Sequence, residues 1–295
     1  MKTGILYVML FVYALMDAQT VVNGAIDGLH LAITVVIPSL FPFIFLCTLC
    51  SNHILGTESP ALRPLEKLCG MPKGSGNLLI LGLCGGYPVG AQCVASAHKQ
   101  GAISKQDAER LLGFCNNAGP SFIFGMVGSL LKDIRLCWLL WLSQIISSIL
   151  VGITLPNKSK TSCCLQRRKS NSITEAMDNT IHICSKIAGW VILFRAVLSV
   201  LDKWFLSSLS EHNGTVIAGM LELSNGCVRL QYVNMPMLRF ILCGTILTFG
   251  GICVHLQTKS VTNSLSARYY LLGKILQTLF VLPILFILWK ISVAF

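Results

Sequence analysis

The chain has 295 residues, of which 54% are hydrophobic and 12% charged, and its mean hydropathy is +0.69. That balance excludes a water-soluble globular enzyme as well as the disordered and fibrous classes. The net charge of +11, from 23 basic and 12 acidic residues, falls between long apolar runs. It therefore reads as the Lys/Arg excess that orients membrane spans, and the expected partner is a lipid bilayer, not nucleic acid.

Met1-Lys2 and the apolar run Gly4 to Met16 match the charged and apolar regions of a signal peptide. Asp17 and Gln19 stand where a small-x-small cleavage site is needed, so residues 4–22 are expected to remain as a first transmembrane helix within an N-terminal unit, 1–24. Further apolar runs at about 28–50, 111–131, 134–155, 180–201, 237–256 and 270–290 bring the expected crossings to seven. Two other apolar segments break in the middle. Asn77–Ala97 contains Leu83-Cys84-Gly85-Gly86-Tyr87-Pro88-Val89-Gly90-Ala91, and Val216–Tyr232 contains Leu221-Glu222-Leu223-Ser224-Asn225-Gly226-Cys227. Unwound backbone at membrane depth is tolerated only where protein or a wet cavity satisfies it, so both are expected to be re-entrant helical hairpins.

Lys158, Lys160, Arg167, Arg168 and Lys169 make 156–175 a basic cytoplasmic linker. Counting crossings back from it puts the N-terminus and the flanks of the first hairpin in the cytoplasm, and counting forward brings the second hairpin in from the opposite face. Ala25-Ile26-Asp27 is echoed by Ala176-Met177-Asp178, Gly82 by Gly219, and Leu112-Gly113-Phe114-Cys115 by Leu247-Thr248-Phe249-Gly250. The expected fold is an all-α polytopic membrane protein with about seven transmembrane helices plus two re-entrant hairpins. In this inverted-repeat, transporter-like layout, residues 25–155 form the first repeat and 176–295 the second. Asp27 and Asp178 are expected at helix starts, where an acid suits the positive dipole end.

Paired breaks of this kind place a solute site near the bilayer midplane. Gly85, Gly86 and Gly90 allow close backbone approach, Pro88 fixes the break, and a half-helix starting there would aim N–H groups at an anion, with Tyr87 offering a ring and a hydroxyl. A tight turn between packed helices is the alternative. Asn116, Asn117, Gly119, Pro120 and Ser121 interrupt another apolar run. Their amides suit a carboxylate or a heteroaromatic ring, or else hydrogen bonds between helices at a kink. Glu222 is an ionisable group at depth, flanked by Ser224, Asn225 and Gly226, and could hold a coupling proton or Na⁺. Lys186 and Arg195 are the basic candidates. At nine positions apart they lie on opposite helix faces, so at most one can reach the cavity, and a structural ion pair with Glu222 is the alternative. The 13 cysteines fit no metal or redox spacing, no nucleotide loop or nucleophile motif is present, and neither a cofactor nor an enzymatic activity is expected.

The block from Leu79 to Ala91, continuing through Gly101-Ala102-Ile103-Ser104 and Asp107-Ala108-Glu109-Arg110-Leu111 to Asn116-Asn117-Ala118-Gly119-Pro120-Ser121-Phe122-Ile123-Phe124-Gly125, resembles the YlbJ type of sporulation integral membrane protein, in the nucleoside-recognition or Gate-domain superfamily. Leu221-Glu222-Leu223-Ser224-Asn225-Gly226 looks like its second-half counterpart. The resemblance implies a Gram-positive spore former, residence in the cell or forespore membrane, and movement of a small solute, with dipicolinate the substrate associated with the sporulation branch. A permease for a small anionic or heteroaromatic metabolite is the first expectation. The alternative is a non-transporting scaffold or partner subunit in spore envelope assembly. A coupling ion and a homo-oligomeric or second membrane subunit stand open as further partners.

Overall fold

The computed structural model describes residues 14–54, 59–156, 172–262 and 264–294. All regular structure among them is helical. Helix α1 (Ala18–Leu31) passes through a π-helical turn (Ala32–Val36) into α2 (Ile37–Ile54) without a loop. The expected boundary between 4–22 and 28–50 is therefore absent, and Asp27 lies inside α1 instead of at a helix start. Nothing between Val22 and Gly28 forbids helix, since this stretch has neither proline nor paired glycines. Residues 1–13, which include 4–13 of the expected first span, lie outside the described residues, as does most of the basic linker, 157–171.

The short helix α3 (Arg63–Leu68) is tied to the start of α4 (Gly76–Gly85) by Glu66, whose Oε1 accepts from the N–H groups of Gly74 (3.1 Å) and Gly76 (2.8 Å). After α4 come α5 (Val89–Lys99) and α6 (Lys105–Leu112), the latter capped by the Ser104 hydroxyl. Helix ends at Leu112, resumes as a π-helical stretch (Ser121–Val127) and closes with α7 (Gly128–Leu131). The run expected to span at 111–131 is thus broken by an unwound segment, 113–120, that contains Gly119-Pro120. Helix α8 (Ile134–Thr154) completes this half.

In the second half α9 (Ile173–Trp204) starts at a Ser172/Glu175 capping box, so Asp178 too is internal to a helix. It is followed by α10 (Glu211–Leu221), α11 (Leu223–Arg229), α12 (Pro236–Phe249), α13 (Gly251–Val261) and α14 (Arg268–Ala294). Gly250 and Gly251, at φ +83° and +76°, kink α12 into α13. Among the described residues five helices are long and apolar enough to cross a membrane: Ala18–Leu49, Ile134–Thr154, Ile173–Trp204, Pro236–Val261 and Arg268–Val293. The molecule is a polytopic α-helical membrane protein.

Both broken segments fold back on themselves. A Cβ on Gly90 would lie 2.9 Å from Gly82 Cα, and one on Gly226 would overlap Gly219 Cα, so each pair of arms meets at glycine. In a straight helix residues seven or eight apart would be about 11–12 Å from each other. Around these hairpins α1 and α2 run antiparallel to α9. Gly24 and Gly28 let α1 approach closely, since a Cβ on Gly28 would come within 2.8 Å of Ile192 Cα. Asp17 with Lys203 (2.9 Å) and Asp27 with Arg195 (3.4 Å) pair along the same seam.

Arg110, in the Asp-Ala-Glu-Arg-Leu element, is buried and satisfies five carbonyls: Cys69, Gly70, Gly152, Leu155 and Pro156. Its guanidinium thereby closes the C-terminal end of α8, where a cation is favoured, and holds α3, α6 and α8 together.

Candidate functional site

The unwound segment 113–120 lies against the first hairpin, backbone to backbone. A Cβ on either Gly82 or Gly90 would strike the Cys115 carbonyl, and one on Gly86 would sit 2.8 Å from Gly119 N. Gly86 is also at φ +74°, which L side chains avoid. Gly85 ends the first arm against Val89, and Pro88 precedes the second arm. This packing draws the hairpin tip and the Gly-Pro break to one point near the middle of the fold.

A cavity opens there. Its polar rim comprises Gly86 and Tyr87 from the first hairpin, Gly119 and Ser121 from the break, and Glu222 and Ser224 from the second hairpin. Val36 of the π-helical turn and Val191 of α9 close its outer side, so two π-helical segments, the turn in α1–α2 and Ser121–Val127, border it. It leaves about 40 Å³ for the centres of water-sized molecules, which is room for a few waters and not for a ring.

Two groups on the rim have unused capacity. The Ser121 hydroxyl is buried without a hydrogen-bond partner. Glu222 is 2% exposed; its Oε1 accepts from Ser224 N (3.0 Å), and its Oε2 accepts from Asn225 N and Nδ2 (both 2.7 Å). The carboxylate thus caps α11, and with three of about four acceptor positions in use it keeps one free. Glu222 makes no ion pair among the described residues. Lys186 is exposed and Arg195 pairs with Asp27, so neither basic candidate reaches the cavity or Glu222. Which face of α9 turns inward is set by α1 and α2 packing on it. Gly226 and Asn225 serve the second hairpin itself, through Gly219 and Glu222.

Asn116 and Asn117 turn away from the rim into a buried polar network. Asn116 donates to Thr258 Oγ1 (2.9 Å) and accepts from Ala91 N (3.3 Å). Asn117 donates to the Phe114 carbonyl (2.7 Å), while its Oδ1 accepts from Gln277 Nε2 (2.8 Å) and Lys274 Nζ (3.3 Å). Lys274, fully buried in α14, also donates to Tyr87 Oη (3.0 Å) and Gln277 Oε1 (2.7 Å). The Tyr87 hydroxyl in turn reaches the Thr248 carbonyl (3.1 Å) at the end of α12, and Gln144 of α8 donates to Thr248 Oγ1 (2.7 Å). Sequence reading passed over Lys274, Gln277 and Gln144. The signal was present in Lys274, an ionisable residue inside the apolar run 270–290.

No family model matches the chain, and no solved structure matches it. Among curated proteins it is similar to "Sporulation integral membrane protein YlbJ" of Bacillus subtilis (strain 168), with 25% identity over 313 aligned positions that cover 89% of this chain and 76% of that protein. The aligned length takes in both hairpins and the broken segment between them, because nine-tenths of the chain is covered. That similarity, modest in identity but sustained over almost the whole length, supports a YlbJ-type assignment.

Proposed function

We propose that the chain is a permease for a small anionic or heteroaromatic metabolite, with dipicolinate the first candidate, in the cell or forespore membrane of a sporulating bacterium. One observation carries this reading: three chain breaks, remote in sequence, converge on one cavity whose rim holds an unpaired serine hydroxyl and a carboxylate with a free acceptor position. Breaks used only for packing would leave neither.

The order long helix, helical hairpin, broken helix, long helix occurs in both halves. That supports reading the halves as inverted repeats. A dicarboxylate on a pyridine ring would set its carboxylates toward Ser121 and the start of α5, and its ring toward Tyr87. Because the cavity admits only a few waters, the hairpins must part to load it. A partner subunit fits the same reading but is not needed for the site.

Uptake of dipicolinate into proteoliposomes, against nucleoside and other dicarboxylate controls, tests the proposal. Saturable flux is expected in the wild type and a large loss in Glu222→Gln. Since Glu222 also caps α11, Ser121→Ala is the cleaner variant. Its hydroxyl has no internal partner, so it should keep the wild-type melting temperature and show a raised KM. Absence of flux for every solute, from folded protein, would favour the scaffold reading.

A further inference from the structure

The buried amine of Lys274 has no role in the site described above. It does not line the cavity, and its three N–H donors are matched one for one by three neutral acceptors, Tyr87 Oη, Asn117 Oδ1 and Gln277 Oε1. An ammonium with every donor engaged has nothing left to offer a solute anion. It also makes no ion pair among the described residues, although a cation in the membrane interior is costly without a counter-charge.

The surroundings supply none. From the hairpin and the break, the titratable groups facing it are Tyr87 and the Cys115 thiol; from α13 it is His255; on α14 itself it is Tyr270, bonded to His255 (2.9 Å). The charged groups of the other packed helices are engaged elsewhere. On α6, Asp107 accepts from Ser104, Glu109 accepts from Ser266 N and Arg110 serves its carbonyls. On α8, Arg135 pairs with Asp133 and Cys137 bonds the Asp133 carbonyl; on α12, Arg239 donates to the Val233 carbonyl and Cys243 lies against Cys227.

Resting on the permease reading, we propose that Lys274 is the proton-binding group that couples solute movement to a proton, taking up one proton on Nζ from one side of the membrane and releasing it to the other. When the proton leaves, Nζ keeps two N–H bonds and gains a lone pair that needs a donor. Gln277 Nε2 is committed to Asn117 and Ser147. The Tyr87 hydroxyl is a rotor and can turn its hydrogen from the Thr248 carbonyl onto Nζ. That rotation frees a carbonyl at the end of α12 and undoes a contact between the first hairpin and the second half of the chain, next to the cavity wall.

The test uses full-length protein in liposomes loaded with a pH-sensitive dye. Expected in the wild type are an internal pH change on dipicolinate influx and accumulation above the external concentration when a pH gradient is imposed. Lys274→Arg, which stays charged at any working pH, and Lys274→Gln should both lose the pH change, with accumulation falling to a ratio of one, while still exchanging labelled for unlabelled dipicolinate. Dipicolinate flux in the wild type without a pH change overturns the inference and leaves the permease standing. So does either variant that still concentrates the solute on a pH gradient, and so does loss of exchange in both variants when each is monodisperse. No wild-type flux of any solute overturns the permease reading itself, and this inference with it.

Discussion

Replacing Asn117 by leucine would leave Gln277 Nε2 and Lys274 Nζ each short of an acceptor in a site closed to solvent. The expected cost is about 1–3 kcal/mol, as for other buried groups that lose a partner. Asn117→Asp keeps the acceptor but sets an oxygen against the Phe114 carbonyl that Nδ2 serves, so its melting temperature in detergent should fall between those of Asn117→Leu and the wild type. The neighbouring residues show what a single chain discloses at this scale. Gly86, Tyr87, Ser121 and Glu222 drew notice because polar or conformationally special residues in an apolar run require a reason, and all four lie on the cavity rim. Lys274 did not, because a lysine two turns into a long apolar helix reads as one that snorkels to the interface. Its inward direction is decided by Tyr87 and Asn117, more than 150 positions away. Lys186 and Arg195 were chosen for their charge alone. Their separation from Glu222 depends on which side of α9 is covered, and that is a tertiary fact.

Among elements, the first hairpin was legible because Gly85-Gly86 and Tyr87-Pro88 leave a helix few options, and the second because Glu222-Leu223-Ser224-Asn225-Gly226 sets polar residues and a glycine inside an apolar run. The fused helix α1–α2 was not. Asn23 falls between the expected spans 4–22 and 28–50, and Asp27 at the expected start of the second. At four-residue spacing Gln19, Asn23 and Asp27 instead form one stripe along a continuous helix, with Gln19 donating to Asn23 and Asp27 meeting Arg195. The same seam yields a prediction about close packing. Gly24 faces Ser199 and Ala196, with a Cβ placed 2.9 Å from Ala196 Cα, whereas Ile26 is exposed. Gly24→Leu should therefore destabilise by about 1–3 kcal/mol, as overpacking does. Ile26→Leu should leave the thermal melt in detergent unchanged.

For the whole molecule, the inverted-repeat reading requires the two hairpins to enter from opposite faces. Single cysteines placed in the turn at 100–104 and in the link at 205–210 should then be labelled by an impermeant reagent from opposite sides of sealed vesicles. Labelling from the same side would end that reading, whatever the order of elements. Charge asymmetry gives this arrangement as an expectation, but it could not show how the halves touch. That depends on a tyrosine meeting a carbonyl 161 positions on. The paired long helices also fix how the protein sits in lipid. Each candidate span, Ala18–Leu49 and Ile173–Trp204, has 32 residues, about 48 Å of helix, against a hydrocarbon layer of about 30 Å. Even leaning at about 40°, near the upper limit for membrane helices, such a helix still covers about 37 Å of depth. Both must therefore stand proud of the hydrocarbon, and because they are antiparallel they emerge together, which puts the Asp17–Lys203 pair among the lipid headgroups.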